Sequence, residues 1–102
     1  MRKNRRRYLS FQIHSDTFSF DEKQIGTAIW KNLLSLYGEV AAADSKLYLV
    51  EYDTDTQTGV LQCTESSLSE VITSAVLIGY IGKSRVSFEP KKTSGTIKAL
   101  KR

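Results

Sequence analysis

The spacing of apolar residues changes at definite points along this chain, and those changes limit the fold more than composition does. In RYLSFQIH (7–14), Leu9, Phe11 and Ile13 alternate with Tyr8, Ser10, Gln12 and His14. That is the two-residue period of a strand with one buried face. Farther on the period lengthens: Ile25, Ala28, Ile29, Leu33 and Leu36 recur at helical spacing. Ser19 begins Ser-Phe-Asp-Glu, a capping-box pattern with Glu22, and Gly38 offers a stop. These signals predict a helix over 20–37. Trp30, Leu34 and Tyr37 form a second ridge on it. One sheet contact needs only the first stripe, so the ridge is either extra core or a protein interface.

KLYLVEY (46–52) and GVLQC (59–63) flank the polar DTDTQT and read as a hairpin. Ser-Leu-Ser-Glu (67–70) offers a second capping box, led by Ser67. Leu68, Val71, Ile72, Ala75 and Val76 then make a second apolar helical face, closed by Gly79. RVSFE (85–89) alternates again, with Val86 and Phe88 inward, and Pro90 is expected to end that strand. The order is β-α-β-β-α-β, one domain over residues 1–102. It predicts an α+β, ferredoxin-like (RRM-like) two-layer sandwich: two helices on one face of a four-stranded antiparallel sheet, with a short basic C-terminal helix or tail. In that topology the last strand lies antiparallel beside the first. The start of one therefore meets the end of the other.

This convergence gives the charge distribution a meaning. Between Tyr8 and Gly82 there are three cations (Lys23, Lys31, Lys46) against ten acids, a balance of −7. The basic ends, 1–7 and the last twenty residues, carry twelve cations and one acid, Glu89, a balance of +11. An acidic body with two basic ends that meet at one edge points to a polyanion, above all nucleic acid. In Thr-Ser-Gly-Thr (93–96), Ser94 is expected to cap a short helix carrying Ile97 and Leu100. Gly95 would let backbone N–H groups approach a phosphate there.

Other chemistry is sparse. One histidine and one cysteine do not make an ordinary zinc site. His14 reads as a solvent-facing strand residue and Cys63 as a small core residue. Asp53 and Asp55 suit a hairpin turn better than paired catalytic carboxylates. GYIGK (79–83) resembles a KH-type Gly-x-x-Gly loop, but a strand follows it; a helix-ending turn with Tyr80 and Ile81 packed is the better reading. The third strand carries no aromatic, and only Tyr8, Tyr48 and Tyr52 could stack a base from the sheet, so phosphate contact is favoured over base reading. No apolar run approaches the roughly 20 residues of a membrane span, and the basic N-terminus is not followed by a signal-peptide pattern. A cytosolic or nuclear protein is expected.

Four stretches resemble the ribonuclease P protein component 2 family: RRYLSFQI, GTAIWKNLLSLYGEVAAADSKLYLVEYD, TQTGVLQC with its Tyr-Asp…Thr-Gly…Leu-x-Cys spacing, and SFEPKKTSGTIKA. Where family members often carry Arg before the equivalent of Cys63, this chain has Gln62. The resemblance implies a non-catalytic subunit of the ribonucleoprotein that removes 5′ leaders from precursor tRNA. The RNA would perform the cleavage with Mg²⁺, and the protein would bind no cofactor. It also implies partners: ribonuclease P RNA, precursor tRNA, protein component 3 and a second copy of the chain, with no membrane. By position, Arg5, Arg6, Arg7, Tyr8, Lys91, Lys92, Ser94, Gly95, Thr96 and Lys98 become RNA-facing residues, and Trp30, Leu34 and Tyr37 a protein interface. The short chain leans towards an archaeal member and a cytoplasmic location, or a nuclear one if eukaryotic. Two other classes fit the fold: a ferredoxin-like regulatory domain for a small ligand such as an amino acid, and an independent RNA-binding or ribosome-associated protein.

Overall fold

The computed structural model describes residues 5–15 and 20–101. Ser19, the expected first cap, lies outside them, as do Arg2, Lys3 and Arg102. The helix α1 (Glu22–Ser45) instead starts from Asp21. Asp21 Oδ1 accepts from the Gln24 amide at 2.8 Å, and Gln24 Oε1 accepts from the Asp21 amide at 3.0 Å. The capping box is therefore real but sits two residues later than expected, because Asp21 and Gln24 satisfy it reciprocally. Gly38 breaks the helix with φ 89 and ψ 173, yet helical turns resume after it and run to Ser45.

β1 (Arg6–Ser15) pairs antiparallel with β3 (Thr58–Thr64), which pairs with β2 (Tyr48–Asp53). Asp53 Oδ1 accepts from the amides of Asp55 (2.9 Å) and Thr56 (3.4 Å), so it builds the hairpin turn. A 3-10 turn (Glu65–Ser67) leads into α2 (Leu68–Val76). Ser67 is itself helical in backbone, is buried and makes no side-chain cap, so the second expected capping box does not form. α2 stops before Gly79. Val76 and Leu36, both expected inward, are each 47% exposed. Each falls in the last turn before its helix breaks, past the residues that pack on the sheet.

Two further departures lie at the far edge. β4 (Tyr80–Ile81) and β5 (Ser84–Ser94) form a tight hairpin through Gly82 and Lys83, with Gly82 at φ 63. The Gly-x-x-Gly stretch is thus a strand and its turn; Ile81 packs on the core, but Tyr80 is 65% exposed. Pro90 does not end the strand. Phe11 faces Pro90 and Ser10 faces Lys92, so Lys91 is the extra residue of a bulge, which accommodates a residue without an N–H. The result is a five-stranded antiparallel sheet in the order β2-β3-β1-β5-β4, a ferredoxin-like two-layer sandwich with one added edge strand.

The main core lies between this sheet and the two long helices. Leu9, Phe11 and Ile13 face Ile25, Ile29, Leu33, Val71 and Ala75 across it. The Phe11 ring stacks on Phe88 at 4.7 Å and on Tyr52 at 6.2 Å. On the other face a smaller element does the covering. After β5, α3 (Ile97–Leu100) turns back over the sheet and buries Leu100. Val60, on the outer face of β3, is buried as well. Lys101 Nζ reaches Glu51 of β2 at 2.6 Å, and Lys92 Nζ donates to the Ala99 carbonyl at 3.4 Å. Among the described residues no helix is long and apolar enough to cross a membrane.

Candidate nucleic-acid interface

The antiparallel pairing of β1 with β5 sets Tyr8 opposite Ser94, so the head and tail of the chain meet at one end of the sheet. A cleft of about 1140 Å³ opens there. Arg5, Arg6, Arg7 and Tyr8 line it from β1, and Gly95 and Thr96 from the tail. Lys46, Gln62 and Thr64 line it from the end of α1 and from β3. Arg5 and Arg6 are exposed. The ladder extends past β1, because the Glu65 amide donates to the Arg5 carbonyl at 2.6 Å. That bond holds the first arginine's backbone in line with the sheet.

Arg7 is different. Its Nη2 lies 3.3 Å from Glu65 Oε1, and its side chain is only 31% exposed. A Cβ built on Gly95 would stand 2.8 Å from Arg7 Nη1. Gly95 is therefore the seat of a guanidinium, and its open side is already filled by Arg7 rather than left for a phosphate. The capping expectation changes too. Thr96 is the N-cap of α3, its Oγ1 accepting from the Ala99 amide at 3.1 Å, while Ser94 Oγ accepts from the Thr96 amide at 3.3 Å. These two side chains satisfy N–H groups that would otherwise be free to point at an anion. Ile97 and Leu100 do dock the tail, Leu100 more deeply.

The tail lysines do not line this cleft. Lys91 Nζ lies 3.5 Å from Glu89 Oε2, Lys92 reaches back to α3, and Lys98 is exposed on α3 itself. Lys46 was not singled out from sequence. It follows α1 in a left-handed conformation, φ 49, which carries it to the cleft wall. Only the meeting of α1's end with β3 places it there, and no local pattern marks that meeting.

The remaining expected site residues separate as follows. Leu34 packs against the core, while Trp30 (39% exposed) and Tyr37 (38%) face outward. Trp30 lines a shallow groove with Gly26, Leu47 and Tyr48. His14 Nε2 donates to Glu89 Oε1 at 2.7 Å on the outer face, and this hydrogen bond, aided by Lys91, holds the Glu89 carboxyl below its ordinary value. Burial pushes the Cys63 thiol up to about 11, which keeps it protonated. Among the described residues no group of three His, Cys, Asp or Glu side chains is placed to hold a metal ion.

A family model described as the Rpp14/Pop5 family matches residues 7–102. The chain is 34% identical over 100 residues to ribonuclease P protein component 2 of Pyrococcus furiosus, covering 98% of this chain and 82% of that one. It is also 34% identical over 100 residues to ribonuclease P protein component 2 of Archaeoglobus fulgidus, covering 98% and 88%. A chain in the cryo-EM structure of yeast ribonuclease MRP superposes with a TM-score of 0.74 at 10% identity, covering 94% of this chain and 78% of that one. At that identity the likeness speaks to the fold alone.

Proposed function

The chain belongs to the Rpp14/Pop5 family, and from that premise we propose that it is an RNA-binding protein subunit of ribonuclease P, supporting 5′ maturation of precursor tRNA. The observation that carries this reading is the cleft where Arg5, Arg6, Arg7 and Lys46 converge. Guanidinium groups take phosphate oxygens in a bidentate fork, and an ammonium adds a point charge. Such a surface neutralises phosphates and lets RNA segments approach one another. We assign the cleavage chemistry, and the Mg²⁺ it uses, to the RNA. Protein component 3 and a second copy of this chain are proposed as partners, with the exposed rings of Trp30 and Tyr37 as the contact face. The buried, protonated Cys63 suits the reducing compartment expected for it, the cytoplasm or nucleus.

Replacing Arg5, Arg6 and Lys46 together with Ala tests the cleft. Each lost phosphate contact lowers the salt dependence of RNA binding by about 0.7–0.9 units, so the slope should fall by about two. Replacing Lys91, Lys92 and Lys98 should have a smaller effect, because two of these reach partners within the chain. An unchanged slope in the Arg5/Arg6/Lys46 variant removes the cleft from the function. Recovery of a structured RNA together with partner subunits on purification supports the complex; recovery of a ribosome or of the chain alone points to the other classes.

A further inference from the structure

The registers of β1, β2 and β3 place three side chains in one line across the outer face of the sheet. Tyr8 faces Gln62, and Gln62 faces Tyr48 on its other side. Directly paired residues share a face, and the neighbouring residues Leu9, Leu61 and Leu49 all pack into the main core. Tyr8, Gln62 and Tyr48 are therefore paired on the face away from the long helices, with Tyr48 on the edge strand, where it also borders the Trp30 groove. The two tyrosines are separated by two interstrand spacings, about 10 Å. Tyr48 is 61% exposed, and Tyr8 and Gln62 both line the basic cleft.

The adjacent row of the same face is Glu51, Val60, Ser10 and Lys92. There α3 lies: Lys101 bonds Glu51, Leu100 is buried, and Lys92 donates to Ala99. α3 thus covers one row; in the tyrosine row Tyr48 is exposed and Tyr8 and Gln62 are half-buried, and Arg6 and Thr64 bound it on the far side. A polar amide between two aromatic rings, beside arginines, is of no use to an RNA duplex, whose bases are stacked inside. It suits a strand whose bases are free: rings stack on tyrosine faces while the amide offers both a donor and an acceptor to a base edge.

We propose that the Tyr8–Gln62–Tyr48 row binds unpaired nucleotides, with one base stacked on each tyrosine and Gln62 reading a base edge between them. The proposal rests on the RNA-binding reading above and adds the class of RNA that the cleft takes.

The test compares binding of a short single-stranded homopolymer RNA with binding of an RNA duplex carrying the same number of phosphates. Tyr48→Ala and Tyr8→Leu, each checked for an unaltered unfolding transition, should lower single-strand affinity by about fivefold or more. For Tyr48→Ala, which lies outside the basic cleft, duplex affinity and salt slope should stay as in the wild type. Gln62→Leu should shift the preference between adenine and uracil homopolymers. Unchanged single-strand affinity in both tyrosine variants overturns the stacking row, and unchanged base preference in Gln62→Leu overturns its reading role. The RNA-binding reading fails separately: wild-type protein would then bind neither RNA, or Arg5, Arg6 and Lys46 would not matter to either.

Discussion

The two faces of β1 follow opposite rules. On the inner face Leu9, Phe11 and Ile13 are almost wholly buried and meet close-packed neighbours. On the outer face Tyr8, Ser10, Gln12 and His14 are half-buried or exposed, and their partners are polar except for Val60 opposite Ser10. A pair of glycines, one packed within the core and one at the rim of the cleft, shows how much the surroundings matter. At Gly59 an added Cβ would stand 2.7 and 2.9 Å from the Phe11 ring and 2.8 Å from the Glu51 carbonyl oxygen. At Gly95 it would stand 2.8 Å from the Arg7 guanidinium. The distances are alike; the neighbours are not. A stacked ring and a backbone carbonyl cannot move away, whereas the end of an arginine can.

The largest effect should therefore come from Gly59→Ala. Overpacking a close-packed site costs about 1–3 kcal/mol, and here Phe11 has no free direction because Phe88 and Tyr52 flank it. Chemical denaturation should show a lowered midpoint with an unchanged slope, and RNA affinity of the folded protein should be retained. If stability is unaltered, the inner face is looser than its packing indicates and the contrast between packed core and cleft rim fails.

Gly95→Ala should do the reverse. Arg7 can swing out at a cost within about 0.5 kcal/mol, typical of a surface change, but its contact with Glu65 and its place in the cleft would go with it. The expected result is near wild-type unfolding with RNA affinity reduced several-fold, and no further loss when Arg7→Ala is added. A full additional loss in the double variant would mean that Gly95 and Arg7 act independently, and that glycine is not there to seat the guanidinium.

How much of this was legible in the sequence differs between the same two faces. The inner face was readable because burial imposes a period: Leu9, Phe11 and Ile13 alternate, and Ile25, Ile29 and Leu33 recur at helical spacing. The β-α-β-β-α-β order followed, as did the meeting of head and tail. Details that depend on local competition are not legible in the sequence. Ser94 and Ser67 look like caps, but Thr96 caps α3 and a 3-10 turn takes the place of the cap before α2. Pro90 reads as a strand end, but a bulge at Lys91 carries the strand past it. The outer face was hardest, because nothing there repeats. The tyrosine row exists only through the registers of three strands, and Lys46 joins the cleft only because α1 ends beside β3.

The smallest expected effect also lies on the outer face and involves the pair His14 and Glu89. The Glu89 carboxyl is held below its ordinary value of 4.5, first by the hydrogen bond from His14 and then by Lys91. A carboxyl that titrates lower in the folded than in the unfolded chain stabilises the fold above the unfolded value. That contribution is lost as pH falls through the folded value, because the protonated acid no longer favours its cationic and N–H partners. Glu89→Gln should therefore leave stability nearly unchanged below that range and lower it slightly above, so that the two pH–stability curves converge in acid. Because the pair is exposed, the gap at neutral pH should be small and should shrink further with added salt. Curves that stay parallel down through the acid range would mean that the His14–Glu89 contact contributes nothing to the fold, and that the outer face is held by α3 and the β1–β5 ladder alone.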